Sequence, residues 1–165
     1  KILMEFKDIP KDNHFPYDEQ VLEMLYDNLE QEAIEEMEDN GKITPKLIIM
    51  DDVGASGNLK NKNFGIITKL AAVGRHINCS QCYTSQRFSM VSTQLRSNLT
   101  GAILFNTSMK ELDLIGEDFN YMTSKKKFID MFRRETSKTP RSFLVINFSN
   151  PGGLYMNSNF QTIKE

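Results

Sequence analysis

Cysteine is scarce. Cys79 and Cys82 are the only thiols in 165 residues. Two are too few for a disulfide scaffold, and they fit a reducing compartment. Histidine is equally sparse: His14 and His76 do not stand at ligand spacing from the cysteines, which removes a zinc site. No apolar run approaches the ~18 residues of a membrane span, so no transmembrane helix is expected. No basic-then-apolar leader opens the chain, so no secretory signal is expected either. Internal repeats and low-complexity tracts are also missing. Hydrophobic residues make up 39%, aromatics 10% and charged residues 25%. That composition is globular, and the length suits one domain. The chain starts at Lys1, which raises the expectation of a longer parent protein.

The net charge of -2 hides an asymmetry. Residues 1–46 carry 13 acids and 5 bases, net -8, and residues 47–165 carry 9 acids and 15 bases, net +6. A basic remainder points to a polyanionic partner. The acidic stretch reads as a solvated amphipathic helix from Tyr17, with Asp18 as cap, Val21, Leu22, Leu25, Leu29 and Ile34 at near-helical spacing, and Asn40-Gly41 as stop. Leu47-Ile48-Ile49-Met50 reads as a strand buried on both faces. A polar loop follows over 53–65. A helix is expected over 66–73, a strand over 77–83, a helix over 90–98 and a strand over 101–105. Ser108 and Glu111 predict a capping box on a helix running to Ile115. A basic helix over 123–134, a strand over 142–148 and a short last strand from Tyr155 complete the chain. This alternation predicts an α/β fold with a largely parallel sheet.

Ligands of such folds sit beyond the carboxyl ends of the strands. The residues there are Asp51 and Asp52, then Thr84, Ser85 and Gln86, then Asn106 and Thr107. Four apolar residues before two acids have the form of a Walker B strand, with a hydrated magnesium ion as partner. The alternative is an aspartate that merely opens a turn. The phosphate loop G-x-x-x-x-G-K-[ST] does not occur; Asn40-Gly41-Lys42-Ile43 is its nearest and insufficient approach. Cys79 and Cys82 lie inside a predicted strand on opposite faces, which argues against a redox pair. Lys125, Lys126, Lys127, Arg133 and Arg134 form either a solvated helix face or a contact to a DNA backbone. Lys60 and Lys62 stand in the polar loop, within reach of DNA.

Four segments occur in order: Leu47 to Val53, Gly74-Arg75-His76, Ser85-Gln86-Arg87 and Leu95-Arg96-Ser97-Asn98. Over roughly residues 45–120 this resembles the genome-packaging ATPases of nucleocytoplasmic large DNA viruses, poxviruses included. These belong to the FtsK–HerA superfamily of ring-forming P-loop DNA translocases.

The resemblance implies a RecA-like P-loop sheet, mostly parallel, with helices on both faces, and an upstream strand and phosphate loop that these residues do not include. It divides a single partial domain into an acidic helical lead-in over 1–46, a Walker B and sensor core over 47–148 and a C-terminal hairpin or tail over 149–165. It implies ATP and Mg2+ as cofactors, with hydrolysis in the intact protein and none in this stretch alone. Asp51 takes the position that orders magnesium-bound water. Asp52 takes that of the base, where the superfamily usually has glutamate. Gln86 matches the polar sensor, Arg75 an arginine supplied across a subunit interface, and Arg96 a second candidate for that role. Implied partners are double-stranded DNA, further copies in a ring, and capsid or portal vertex proteins. The implied location is the viral factory in the host cytoplasm, or the virion. Two other readings remain: a non-catalytic P-loop-like scaffold or DNA-binding relative, and a cellular FtsK/HerA-type DNA translocase. The cellular enzyme would carry a winged-helix module, and nothing after Phe148 looks like one.

Overall fold

Nine acids and no base are folded into the first long helix, α1 (Glu19–Asn40), and its ends explain how. The Asp18 carboxylate accepts from the backbone N–H groups of Gln20 and Val21 at 2.8 and 3.1 Å. Gly41 closes the helix in the left-handed conformation, φ 64°. In the computed structural model, which describes residues 9–52 and 65–164, α1 is more than a solvated lead-in. It buries Leu22, Tyr26 and Ala33 in a core shared with the first strands. The Lys69 ammonium sits 3.9 Å from the centre of the Tyr26 ring. Burial, helped by a hydrogen bond to Glu30, pushes the Tyr26 phenol up to about 12.

Two strands follow, β1 (Lys46–Met50) and β2 (Cys79–Tyr83), joined through helix α2 (Ile66–Val73). With α2 as the described crossover helix, the two strands pair in parallel, from Lys46↔Cys79 to Met50↔Tyr83. A 3-10 turn, Gly74–Ile77, closes α2. Gly74 has no alternative there. A Cβ on it would lie 2.9 Å from the Cys79 carbonyl oxygen and overlap the Gln81 side-chain amide. Cys79 is buried and Cys82 exposed, on opposite faces as expected. Burial pushes the Cys79 thiol up, against an opposing hydrogen bond from Gln81.

The second half holds α3 (Thr93–Arg96), β3 (Gly101–Phe105), α4 (Met109–Phe119), α5 (Lys125–Thr136), β4 (Phe143–Asn147) and β5 (Tyr155–Met156). Here two helices separate β3 from β4, which adds one more reversal. The sheet β3-β4-β5 is therefore antiparallel, while β1-β2 is parallel. The α/β alternation is as predicted; its parallel part is the pair that carries Asp51 and Asp52. Phe128, Phe132, Leu144 and Ile146 form the centre of a second core. The Tyr155 hydroxyl donates to the Phe119 carbonyl at 2.7 Å and accepts from the Tyr121 N–H at 2.9 Å, seating the last strand.

Two expectations are corrected. The helix expected over 90–98 is a 3-10 turn, Phe88–Met90, followed by the single turn of α3. The first strand is not buried on both faces: Leu47 and Ile49 are exposed, as are Ile103 and Phe105 on β3. Among the described residues, helices cover one face of these strands.

Gly74→Ala is expected to cost about 1–3 kcal/mol, the usual range for forcing a methyl into packed space. A lower urea midpoint with an unchanged slope would show it. The second prediction concerns Glu135, which is 4% exposed. Burial alone raises its pKa, but hydrogen bonds from Lys138 and Arg134 outweigh that and hold it below the ordinary carboxylate value. A folded pKa below the unfolded one gives stability that is full above about pH 4.5 and is lost as pH falls through the folded value. Glu135→Gln should therefore flatten the fall in melting temperature on the acid side, measured from about pH 6 to pH 3.

Candidate functional site

The register Met50↔Tyr83 sets the next residues, Asp51 and Thr84, side by side at the carboxyl ends of β1 and β2. The Thr84 N–H donates to the Met50 carbonyl at 3.0 Å, extending the ladder one step. Its hydroxyl then works in two directions. It donates to Asp51 Oδ1 at 2.6 Å and accepts from the Asp52 backbone N–H at 2.8 Å. Asp52 sits in the left-handed region, φ 51°, which aspartate tolerates better than most residues. That turn aims the Asp52 carboxylate at Gln86, whose Nε2 donates to both oxygens at 3.2 Å. Four side chains from two strand ends thus form one cluster.

Both aspartates are exposed, so burial does not itself demand a cation, contrary to the expectation for a strand with two covered faces. Among the described residues no three His, Cys, Asp or Glu side chains gather as a cage. A single exposed carboxylate with its second oxygen outside the Thr84 hydrogen bond suits a magnesium ion that keeps most of its waters. It does not suit zinc or calcium, which require several protein ligands. The cluster can therefore orient a hydrated cation at Asp51 and accept a proton at Asp52.

Thr84 is the residue whose role the sequence left unassigned. Its signal was the register: a hydroxyl one place beyond β2 faces an acid one place beyond β1.

The other candidates fall in different places. Arg75 is exposed in the turn before β2, at the opposite end of the strand from Thr84. Five residues at ~3.3 Å each put about 16 Å between the two ends, so Arg75 does not reach the cluster of its own chain. Arg96, the second candidate for an interface role, is held within its own chain. Its side chain is 10% exposed, paired with Asp118, bonded to the Thr93 hydroxyl at 3.1 Å and stacked 4.7 Å from the Phe88 ring centre. Its charge is answered inside the chain.

In the basic helix, Lys125 pairs with Asp113 and Glu117 at 3.5 and 3.3 Å, Arg133 meets the Met109 sulfur, and Arg134 bonds Glu135 at 3.0 Å. Lys126 and Lys127 are exposed and enter no ion pair among the described residues. Lys60 and Lys62 lie outside the described residues.

A family profile described as "Poxvirus A32 protein" matches residues 11–152. Solved structures of the genome packaging NTPase B204 from Sulfolobus turreted icosahedral virus 2 share the fold. The complex with AMPPCP aligns at a TM-score of 0.59 and 12% identity over 90% of this chain and 63% of that one. The complex with AMP gives 0.61 and 12% over 87% and 63%. The complex with ATP-gammaS gives 0.52 and 12% over 85% and 60%. The chain thus spans about three-fifths of the length of these structures. No curated protein sequence matches it significantly.

The Thr84 hydroxyl carries a prediction. Thr84→Val removes both of its bonds and should speed hydrogen exchange of the Asp52 amide by about tenfold, the size expected for one lost hydrogen bond of ~1–1.5 kcal/mol. Thr84→Ser should leave the exchange near wild type. Amide exchange followed by NMR reads both variants.

Proposed function

This chain belongs to the poxvirus A32 protein family, and we propose that it supplies the catalytic edge of a motor subunit that hydrolyses ATP to drive double-stranded DNA into a capsid during virion assembly. The observation that carries the reading is the cluster of Asp51, Asp52, Thr84 and Gln86 at the ends of two parallel strands. The related archaeal virus NTPase was solved with AMPPCP, ATP-gammaS and AMP, which supports a nucleotide as the ligand here.

Each residue has a task in hydrolysis. Asp51, fixed by Thr84, would hold a hydrated Mg2+. When bound, that ion neutralises charge developing on the phosphoryl oxygens. Asp52 accepts the proton of the attacking water at a carboxylate oxygen. Gln86 fixes the direction of that carboxylate and presents its amide to the same water. A loop G-x-x-x-x-G-K-[ST] is absent from the sequence, so the phosphates need a cradle from residues other than these.

Arg75 suits a role across a subunit boundary. It is exposed, permanently charged and at the wrong end of β2 to serve its own cluster. A homo-oligomeric ring brings such an arginine to a neighbour's phosphates, where it stabilises the transferring group. Lys126 and Lys127 are the candidates on α5 for a DNA backbone, with Arg133 beside them; Lys60 and Lys62 remain candidates from sequence alone. Capsid or portal vertex proteins are the docking partners that such a motor requires. The virion or the viral factory in the host cytoplasm is its place of action. Among the described residues no helix is long and apolar enough to cross a membrane. Within a single partial domain, 1–46 is the acidic helical lead-in, 47–148 the Walker B and sensor core and 149–165 a C-terminal hairpin or tail. In the lead-in over 1–46, helix α1 packs on the first core.

In the intact protein, Asp52→Asn should reduce ATP turnover by about 10³-fold or more, the scale on which a positioned base and its electrostatics act. ATP binding should be spared. Arg75→Ala should likewise block hydrolysis and spare binding. Mixing the two variants should restore turnover, because a ring then contains sites with an intact Asp52 facing an intact neighbouring Arg75. Steady-state phosphate release reads all three; no recovery in the mixture would refute action in trans.

A further inference from the structure

Glu111 is a carboxylate that the cluster does not use. It is 9% exposed, in the first turn of α4. The pattern Ser108-x-x-Glu111 predicts a capping box whose carboxylate turns back to the Ser108 N–H. Half of that box is present: the Glu111 N–H donates to Ser108 Oγ at 3.4 Å. The carboxylate goes elsewhere. Oε2 accepts from the Ser89 backbone N–H at 2.8 Å and Oε1 from the Ser89 hydroxyl at 2.7 Å.

The segment so gripped is the one that carries Gln86. Residues 85–91 form a tight run: the Ser85 hydroxyl donates to the Arg87 carbonyl at 2.9 Å, Met90 N–H to the same carbonyl at 3.1 Å, and Val91 N–H to the Phe88 carbonyl at 3.0 Å. At the far end of α4, the Phe119 ring meets Phe88 edge-on at 5.1 Å, and Asp118 holds the arginine that covers Phe88. The helix therefore holds the run at two points, Phe88 and Ser89, which follow closely on Gln86 in the chain. Burial raises the Glu111 pKa, but the two Ser89 bonds and the charges of Arg87 and Lys110 outweigh it, and the net direction is down. The N-terminal end of α4 adds to the preference for an anion. Glu111 is thus an ionised acceptor at neutral pH.

We propose that Glu111 is a positioning residue for Gln86: by fixing Ser89 it holds the Gln86 amide against Asp52. The inference rests on the reading of Asp52 and Gln86 as the hydrolytic pair, yet it can be tested apart from that reading. Glu111→Gln keeps the shape but removes the charge; its NH2 can only donate, so the Ser89 hydroxyl must turn to accept from it. Both Ser89 bonds then become neutral ones, about half as strong as charge-assisted bonds, and the grip on the run loosens.

The first measurement is the Gln86 side-chain amide by 15N NMR on this chain. Glu111→Gln should move both Nε2 proton signals and speed exchange of the Ser89 amide by about tenfold. Asp113→Asn, which loses a half-exposed pair to Lys125 on the same helix, should move neither. Ser89→Ala removes only the hydroxyl bond and should give a smaller shift of the same sign, so the test survives if Glu111→Gln folds poorly. The second measurement is turnover by the intact protein. Glu111→Gln should lower kcat by about tenfold with KM for ATP unchanged. Unmoved Gln86 signals in Glu111→Gln and Ser89→Ala overturn the proposal, as does a kcat equal to wild type. A loss of melting temperature with the Gln86 amide in place would show a structural role only, and also overturns it. An intact wild-type protein without any ATP turnover sinks the hydrolytic reading instead, and the amide signals still decide the positioning.

Discussion

Five residues of parallel register between β1 and β2 determine where every polar group of the cluster falls. A slip of one residue would turn Asp51 to the other face and set Thr84 against Asp52. What prevents the slip is mostly apolar. Ile48 and Met50 must face the core shared with α1 and α2, and Cys79 must follow them. Hydrophobic alternation thus sets a polar geometry that no polar residue could set alone. The hydroxyl of Thr84 then converts strand alignment into side-chain alignment, because one oxygen touches both acids.

A second constraint joins the two cores. The run from Ser85 to Val91 belongs by chain order to the parallel pair, yet it is anchored on α4, which packs against the antiparallel sheet. Phe88, Arg96, Asp118 and Phe119 make a stacked and charged seam across that boundary. Gln86 lies between the seam and Asp52. A short covalent and hydrogen-bonded route thus joins the helical half to the acid, and α5, with its exposed Lys126 and Lys127, packs on that same half.

Much of this was legible in the sequence where local chemistry decides. Asp18 and Gly41 bound α1, Ser108 caps α4, and the apolar runs at 47–50 and 143–147 are strands. The helix over 90–98 was misread because its competitors are side chains. The Ser97 hydroxyl and the Asn98 amide both donate to the Gln94 carbonyl, at 2.9 and 2.8 Å, and offer that acceptor an alternative to a longer helix. The pairing of Arg96 was illegible for a different reason. Its partner, Asp118, is 22 residues away on another helix, and no spacing rule reports such a pair. Glu111 fits the same pattern: locally a capping residue, globally a clasp. In the cluster itself, Asp51, Asp52 and Gln86 were visible as strand-end residues, whereas the bond between Asp52 and Gln86 depended on a backbone turn that the sequence does not announce.

That turn has an evolutionary consequence. Asp52 occupies a left-handed backbone conformation, φ 51°, at the position where the superfamily that the sequence resembles usually has glutamate. Aspartate and asparagine enter that region more readily than longer side chains. The backbone at this residue thus favours the shorter acid by itself. A lineage that keeps this bend is biased toward the shorter acid, and a return to glutamate would have to be preceded by changes that straighten the chain after β1. The acid and the bend are expected to be inherited as one character.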